Sequence, residues 1–412
     1  MAMTASGQLR GLLADPVYLR IWSTGICSGV ARWLELLVFG VFAIEVTGSP
    51  FLVALLVILR MTPLAVFGSI VGTFGDRTSP RLFLCVSFSG AALVSAAMFL
   101  LFWLRLAEYW HLAVVSFASG AVWTTDMALR RRILGDAAGQ ARIAPAMSLE
   151  SASSNATRML GPLLGGILYQ WLGASGALAL GAGLYALSVV LILGIPAALS
   201  AGAEAGRSKV LRDLQEAFRF IAHDRDILRI LSVTVVFNVW GFPFVAMIPV
   251  IGSDELRLSA AWIGGLAALE GGGAFLSALV IAVGARKMSF RRLYYFGTMA
   301  WLVLVFIAGW MADALYMAAV LFCVGLAGAC FSTMQSTLIY TVAPPRMRGR
   351  LFGVMVICIG TGLIGFANIG LMGEWFGGSA AIRIVAVEGL IPLLIIGIGW
   401  RQLWSRSGTR IH

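Results

Sequence analysis

Charge is what this sequence has least of. Only 12% of its 412 residues are Asp, Glu, Lys or Arg, 60% are hydrophobic, and the mean hydropathy is +0.92. So little polar side chain cannot cover a water-soluble core, which leaves the class of integral membrane proteins. Histidine is scarcer still: His111, His223 and His412 are too scattered to argue a metal site. All five cysteines (Cys27, Cys85, Cys323, Cys330, Cys358) fall inside apolar runs without the paired spacing of a disulfide framework or a metal site. No Gly-x-x-x-x-Gly-Lys-Ser/Thr loop is present, which excludes ATP as the energy source. There is no His-Glu-x-x-His and no nucleophile with a base at a recognisable spacing, so neither an enzyme nor a bound cofactor is expected. A cleavable signal peptide is not expected either, because the first apolar run is too long and lacks a small-residue cleavage site.

What is present is a series of apolar runs. A membrane-crossing helix needs about 20 apolar residues, and twelve such runs can be placed: 17–46, 51–74, 82–104, 110–129, 147–171, 174–199, 227–251, 260–283, 293–311, 314–341, 351–372 and 377–400. Basic residues favour cytoplasmic loops. With the amino terminus inside, 24 of the 30 lysines and arginines lie on the inner side, so both termini are expected there. The net charge of +11 follows from this asymmetry and does not call for nucleic acid as a partner.

The runs form two sets of six. Arg20-Ile21-x-Ser23 recurs as Arg229-Ile230-x-Ser232, Gly75 recurs with its basic turn at Gly284, and Gly120 to Thr125 recurs as Gly328 to Thr333, each about 209 positions on. Copies separated by an even number of helices keep one orientation, giving parallel repeats. The expected organisation is therefore a six-helix bundle over 1–200, a cytoplasmic linker over 201–226 and a second six-helix bundle over 227–412. Within the linker, Leu211, Leu214, Phe218 and Ile221 recur at helical spacing, predicting an amphipathic helix over 210–223 on the inner membrane surface.

Between the second and third runs the chain reads Gly72-Thr-Phe-Gly-Asp76-Arg77-Thr-Ser-Pro-Arg81. This resembles the Gly-x-x-x-Asp-Arg loop between helices 2 and 3 of major facilitator superfamily transporters. The match is partial, since Ser79 and Pro80 stand where the family has Gly and a basic residue. Glu45-Val-Thr-Gly-Ser-Pro50, Asp126-Met-Ala-Leu-Arg130 and Arg348-Gly-Arg350 resemble elements of the branch that includes enterobactin exporters and macrolide efflux pumps. The resemblance implies an all-α fold of twelve transmembrane helices in two pseudo-repeated bundles, multi-pass in a bacterial-type inner membrane and monomeric. It also implies a gate in which Asp76, with Arg77, Arg81 and Arg130, closes the cytoplasmic side against the start of the eleventh helix near Arg348 and Arg350.

Ionisable groups inside the spans are the functional markers, because each costs at least about 2.5 kcal/mol at the bilayer centre and needs a partner or a wet cavity. Arg32 lies at mid-depth in the first run, with Glu35 on the same face; Arg60, Arg158 and Glu270 also fall near mid-depth, and Asp126 nearer the inner surface. Ala31-Arg32 stands where many relatives carry Gly-Asp, followed by Trp as at Trp33. The expected substrate-binding residues are Arg32, Trp33, Arg60, Trp123, Arg158, Asn238 and Gln335, and the expected proton-coupling residues Glu35, Asp126 and Glu270. The alternative is that these charges only pair with one another. Gly161-Pro162-Leu-Leu-Gly165-Gly166 resembles the core of the superfamily's antiporter motif; tight packing against a neighbour accounts for the same residues. Together these imply a proton-coupled exporter of a small amphipathic or anionic compound. A proton-coupled importer of an organic anion and a lipid flippase remain as alternatives on the same fold.

Overall fold

The computed structural model describes residues 10–75, 79–139, 142–196, 210–284, 289–400 and 403, and every element among them is helical. In hydrocarbon each backbone N–H and C=O must find its partner within the segment, which a helix alone provides for a single run. Prolines sit at the first positions of α1 (Pro16–Thr47), α2 (Pro50–Gly75) and α3 (Pro80–Trp103), where the missing N–H costs no intrahelical bond. Then come α4 (Tyr109–Ala138) and α5 (Ile143–Leu193). The short amphipathic α6 spans Val210–His223. It is followed by α7 (Arg225–Glu255), α8 (Ala260–Gly284), α9 (Phe290–Ala308), α10 (Ala314–Val342), α11 (Arg348–Phe376) and α12 (Gly378–Gly399).

Ten of these helices are long and apolar enough to cross a membrane, and the apolar part of α2, Pro50–Val66, is shorter. The fifth and sixth expected runs are the two arms of α5, separate helices that meet at Gly173, where φ is 70° and ψ −177°. The contacts of its two arms show that the chain doubles back there. Gly165, eight residues before the bend, packs on Leu34, and Gly181, eight residues after it, faces Glu35. Further out, Ala146 accepts from the Tyr18 hydroxyl and Gly194 from Arg20. The left-handed φ at the bend is open to glycine at little cost. The fourth run, expected to stop at 129, continues to Ala138, because Arg130 is buried among carboxylates instead of marking a loop.

The chain forms two compact units, residues 1–42 with 59–206 and residues 43–58 with 207–412. At one end of the first unit Tyr18, Ile21, Phe88, Ile133 and Leu134 form a fully buried apolar cluster. The second unit is filled by aromatics: Phe237 stacks on Phe331 at 3.7 Å, and Trp301 meets Phe237 at 4.9 Å and Phe244 at 5.4 Å. It also seats the turn at residues 48–50, where Glu374 accepts from the Ser49 hydroxyl at 2.6 Å. The α6 helix is tied to α11 by Glu216 and Arg350 at 2.6 Å. Exposed Leu93, Trp171 and Ile398 give the outer faces the apolar character that lipid requires.

Two helix crossings share one device. A Cβ added at Gly120 on α4 would lie 2.0 Å from the Arg60 carbonyl of α2, and one at Gly325 on α10 would lie 1.9 Å from the Glu270 carbonyl of α8. Missing side chains let the backbones meet. Gly120→Ala and Gly325→Ala are each expected to destabilise the protein by about 1–3 kcal/mol or more. Gly265→Ala, at a position with open space around it, should be neutral or mildly stabilising; thermal unfolding in detergent reads the difference.

Candidate functional site

The first unit holds a chain of buried charges that crosses four helices. On α1, Glu35 is 1% exposed and accepts from Arg60 of α2 at 3.2 Å, Ser119 of α4 at 3.1 Å and Tyr185 of α5 at 3.4 Å. One turn earlier on the same face, Arg32 lies 3.9 Å from Asp126 and 5.2 Å from the Trp123 ring centre, both on α4. Asp126 also receives Arg130 Nε at 2.5 Å. Arg130 in turn reaches both oxygens of Glu150 on α5, at 3.1 and 2.6 Å. Two-pronged contacts of this kind are the strong ones.

Local sequence explains the placement. The backbone widens into a π-type turn at Asp126–Arg130, which brings both side chains to the α1 face. Gly25 leaves room for the Arg130 head, since a Cβ there would lie 2.3 Å from Nη1. Gly161 and Gly165 of α5 sit against Val30, Trp33 and Leu34 of α1, with Pro162 and Gly166 buried beside them. The glycine-rich run thus holds α1 close at the depth of Arg32 and Glu35. Arg158 lies over the Trp33 ring at 5.4 Å.

Buried donors are left over. Among the described residues Arg32 Nε, Arg60 Nε and Nη1, Trp123 Nε1 and Gln335 Nε2 have no hydrogen-bond partner. Each such group costs about 1–3 kcal/mol unless something accepts from it. A cavity of about 400 Å³ between α3 and α4 is lined by Ser87, Ser119 and Thr125, so it opens beside the hydroxyl that holds Glu35.

Other expected site residues are not members of this chain. Asn238 is buried on α7 and donates to the Thr234 carbonyl of its own helix at 2.8 Å, while Glu270 and Gln335 are buried on α8 and α10. Arg81 donates to the Leu193 carbonyl at the end of α5. Arg348 lies over Tyr340 at 4.2 Å, and Arg350 holds Glu216. Asp76 and Arg77 lie outside the described residues. Arg130, expected at a gate, is sealed in the charged chain at 3% exposure.

Three members escaped the sequence reading. Ser119 and Tyr185 look like ordinary packing residues. Glu150 stands in the first turns of the fifth run and reads as an interfacial charge, although an acid there opposite Arg130 was the available signal. Among the described residues no group of three or more His, Cys, Asp and Glu side chains could hold a metal ion.

Known proteins share this architecture. The sequence profile described as Major Facilitator Superfamily matches residues 21–396. The uncharacterized MFS-type transporter YfiS of Bacillus subtilis (strain 168) is 23% identical, over 92% of this chain and 92% of its own. The multidrug efflux pump Tap of Mycolicibacterium fortuitum is also 23% identical, over 92% of this chain and 94% of its own. The crystal structure of the nucleoside transporter NupG superimposes with a TM-score of 0.71 at 13% identity, covering 93% of this chain and 98% of that one.

Removing one partner of a buried pair leaves the other charge uncompensated, at a cost of about 3–5 kcal/mol. Arg60→Ala is therefore expected to lose about that much stability, and Arg60→Met combined with Glu35→Gln to recover most of it, as measured by unfolding of the purified protein.

Proposed function

The chain belongs to the major facilitator superfamily, and on that footing we propose that it is an alternating-access, proton-coupled exporter of a small amphipathic or anionic organic compound. In this reading it works as a monomer in a bacterial-type inner membrane with both termini in the cytoplasm. The observation that carries the proposal is the buried chain Glu35–Arg60, Arg32–Asp126–Arg130 with its unpartnered N–H donors. Charges at this depth are costly as static ornaments and suit a path that water and solute enter.

Exchange requires proton and solute to compete for one group. Glu35 and Asp126 are the carboxylates for that competition: a solute that donates hydrogen bonds to either takes the place of a proton. Arg32 and Arg158 then supply attraction for an anionic portion, and Trp33 and Trp123 supply apolar faces. The antiporter-like glycines against α1 and the likeness to the efflux pump Tap support the outward direction. Glu270 remains the corresponding candidate on α8, and Asn238 and Gln335 polar candidates on α7 and α10.

The Glu35–Arg60 contact favours a second reading, proton symport of an organic anion. Protonating Glu35 is what would release Arg60 for an anionic guest, so proton and guest would travel together. Everted membrane vesicles with an acid lumen separate the two. A compound added outside should collapse the proton gradient and accumulate inside if the protein is an antiporter; an importer by symport should do neither.

The gate assignment of Asp76 makes its own prediction. Loss of a charge-assisted hydrogen bond is worth about 1.5–3 kcal/mol, so Asp76→Asn is expected to slow turnover about tenfold or more at unchanged expression. Normal turnover in the same vesicles would remove the residue from the gate.

A further inference from the structure

Carboxylates buried in the first unit are each faced by arginine, whereas one half-buried carboxylate of the second unit is not. Glu388 stands at the middle of α12, a helix about 33 Å long at 1.5 Å per residue. Its Oε2 accepts from Asn368 Nδ2 of α11 at 2.7 Å and from Trp240 Nε1 of α7 at 3.1 Å. Among the described residues no cation reaches it and no donor reaches Oε1. Arg383, on the same helix, lies instead over Trp310 at 4.0 Å. The charges of the packed helices are otherwise placed near their ends: Asp226 with Arg291 at 2.7 Å, Glu216 with Arg350 at 2.6 Å, and Glu374 with Ser49 at 2.6 Å.

The arrangement is built by several features of the backbone. Helix α7 opens into a wide turn at Phe237–Gly241 and then tightens over Phe242–Ala246, around Pro243. Gly389, next to Glu388, lets Trp240 approach, since a Cβ there would lie 2.6 Å from the Trp240 Cβ. Phe242 meets Phe366 edge-on at 6.0 Å on the same pair of helices, α7 and α11. One carboxylate oxygen is thus fixed by two N–H groups, the other is unused, and an indole stands beside them.

We propose that Trp240, Asn368 and Glu388 form a binding site for the positively charged head of a lipophilic organic cation. An unpaired carboxylate in a span costs at least about 2.5 kcal/mol, and an incoming cation offsets that cost while its apolar body meets the indole. A hard metal cation is poorly matched, because it wants six or more oxygens and one free carboxylate oxygen is offered. The inference deepens the transporter reading, on which it rests, by naming one charge of the solute.

Equilibrium binding tests it without requiring transport. Purified protein in lipid nanodiscs is titrated with tetraphenylphosphonium and, as a match in size and greasiness, with the anion tetraphenylborate. Glu388→Gln should weaken tetraphenylphosphonium at least about tenfold and leave tetraphenylborate unchanged; Glu388→Asp, which keeps the charge, should retain most of the affinity. Gln preserves the acceptor for Trp240 and Asn368, and an unchanged melting temperature confirms the fold. Failure of the wild type to bind tetraphenylphosphonium, equal binding by Glu388→Gln, or the same loss for both ions overturns the site. Binding that survives alongside absent proton exchange in vesicles would sink the exporter reading and leave this site standing.

Discussion

A guanidinium enclosed among membrane helices must carry its counter-charges with it, and the arrangement around Arg130 is the constraint on which the first unit depends. Asp126 and Glu150 neutralise it from α4 and α5, Gly25 of α1 makes space for it, and α4 stays helical past the point where three consecutive arginines would otherwise end a span. The same requirement fixes Arg32, which shares Asp126 and leans on Trp123. Replacing a buried ion pair by apolar residues of equal volume is often neutral or stabilising. Stability alone therefore gives no reason to hold six charges here; the proposed solute path does.

The two units share a helical plan and differ in what fills it. The first is polar at its centre, with Glu35 ringed by Arg60, Ser119 and Tyr185. The second is aromatic at its centre, with Phe237, Phe331, Tyr294 and Trp301 packed together, and carries carboxylates at Glu270 of α8 and Glu388 of α12. The two units thus share a crossing of helices while their chemistry diverges. Both units place a wide turn where a functional candidate is displayed, Asp126–Arg130 in one and Phe237–Gly241 in the other. A π-type turn shifts the face a side chain points from without ending the helix.

The spans were legible because hydrocarbon imposes one rule on every backbone group, and so runs of apolar length coincide with α1 to α5 and α7 to α12. The bend at Gly173 was legible only as a gap between two runs, because a positive φ leaves no mark beyond the glycine itself. Buried charges such as Arg32, Glu35 and Arg60 announced themselves by their cost. Their partners did not: Ser119 and Tyr185 have side chains that serve equally well in packing, and only the fold brings them to one carboxylate. Glu388, the lone acid of the twelfth run, was passed over in the sequence although the same cost marks it; its Trp240 and Asn368 neighbours come from helices more than a hundred positions away in sequence and about twenty, respectively, and no periodicity links them.

At the crossings of α2 with α4 and of α8 with α10, the glycine presses on a main-chain carbonyl, and the side chain of the opposite residue takes no part in that contact. Position 60 is arginine and position 270 is glutamate, opposite charges over the same kind of joint. The crossing itself therefore places no demand on the side chain mounted there, which answers instead to its own partners, as Arg60 does to Glu35. A side chain there can change when its partner changes with it, while the crossing that carries both stays as it is.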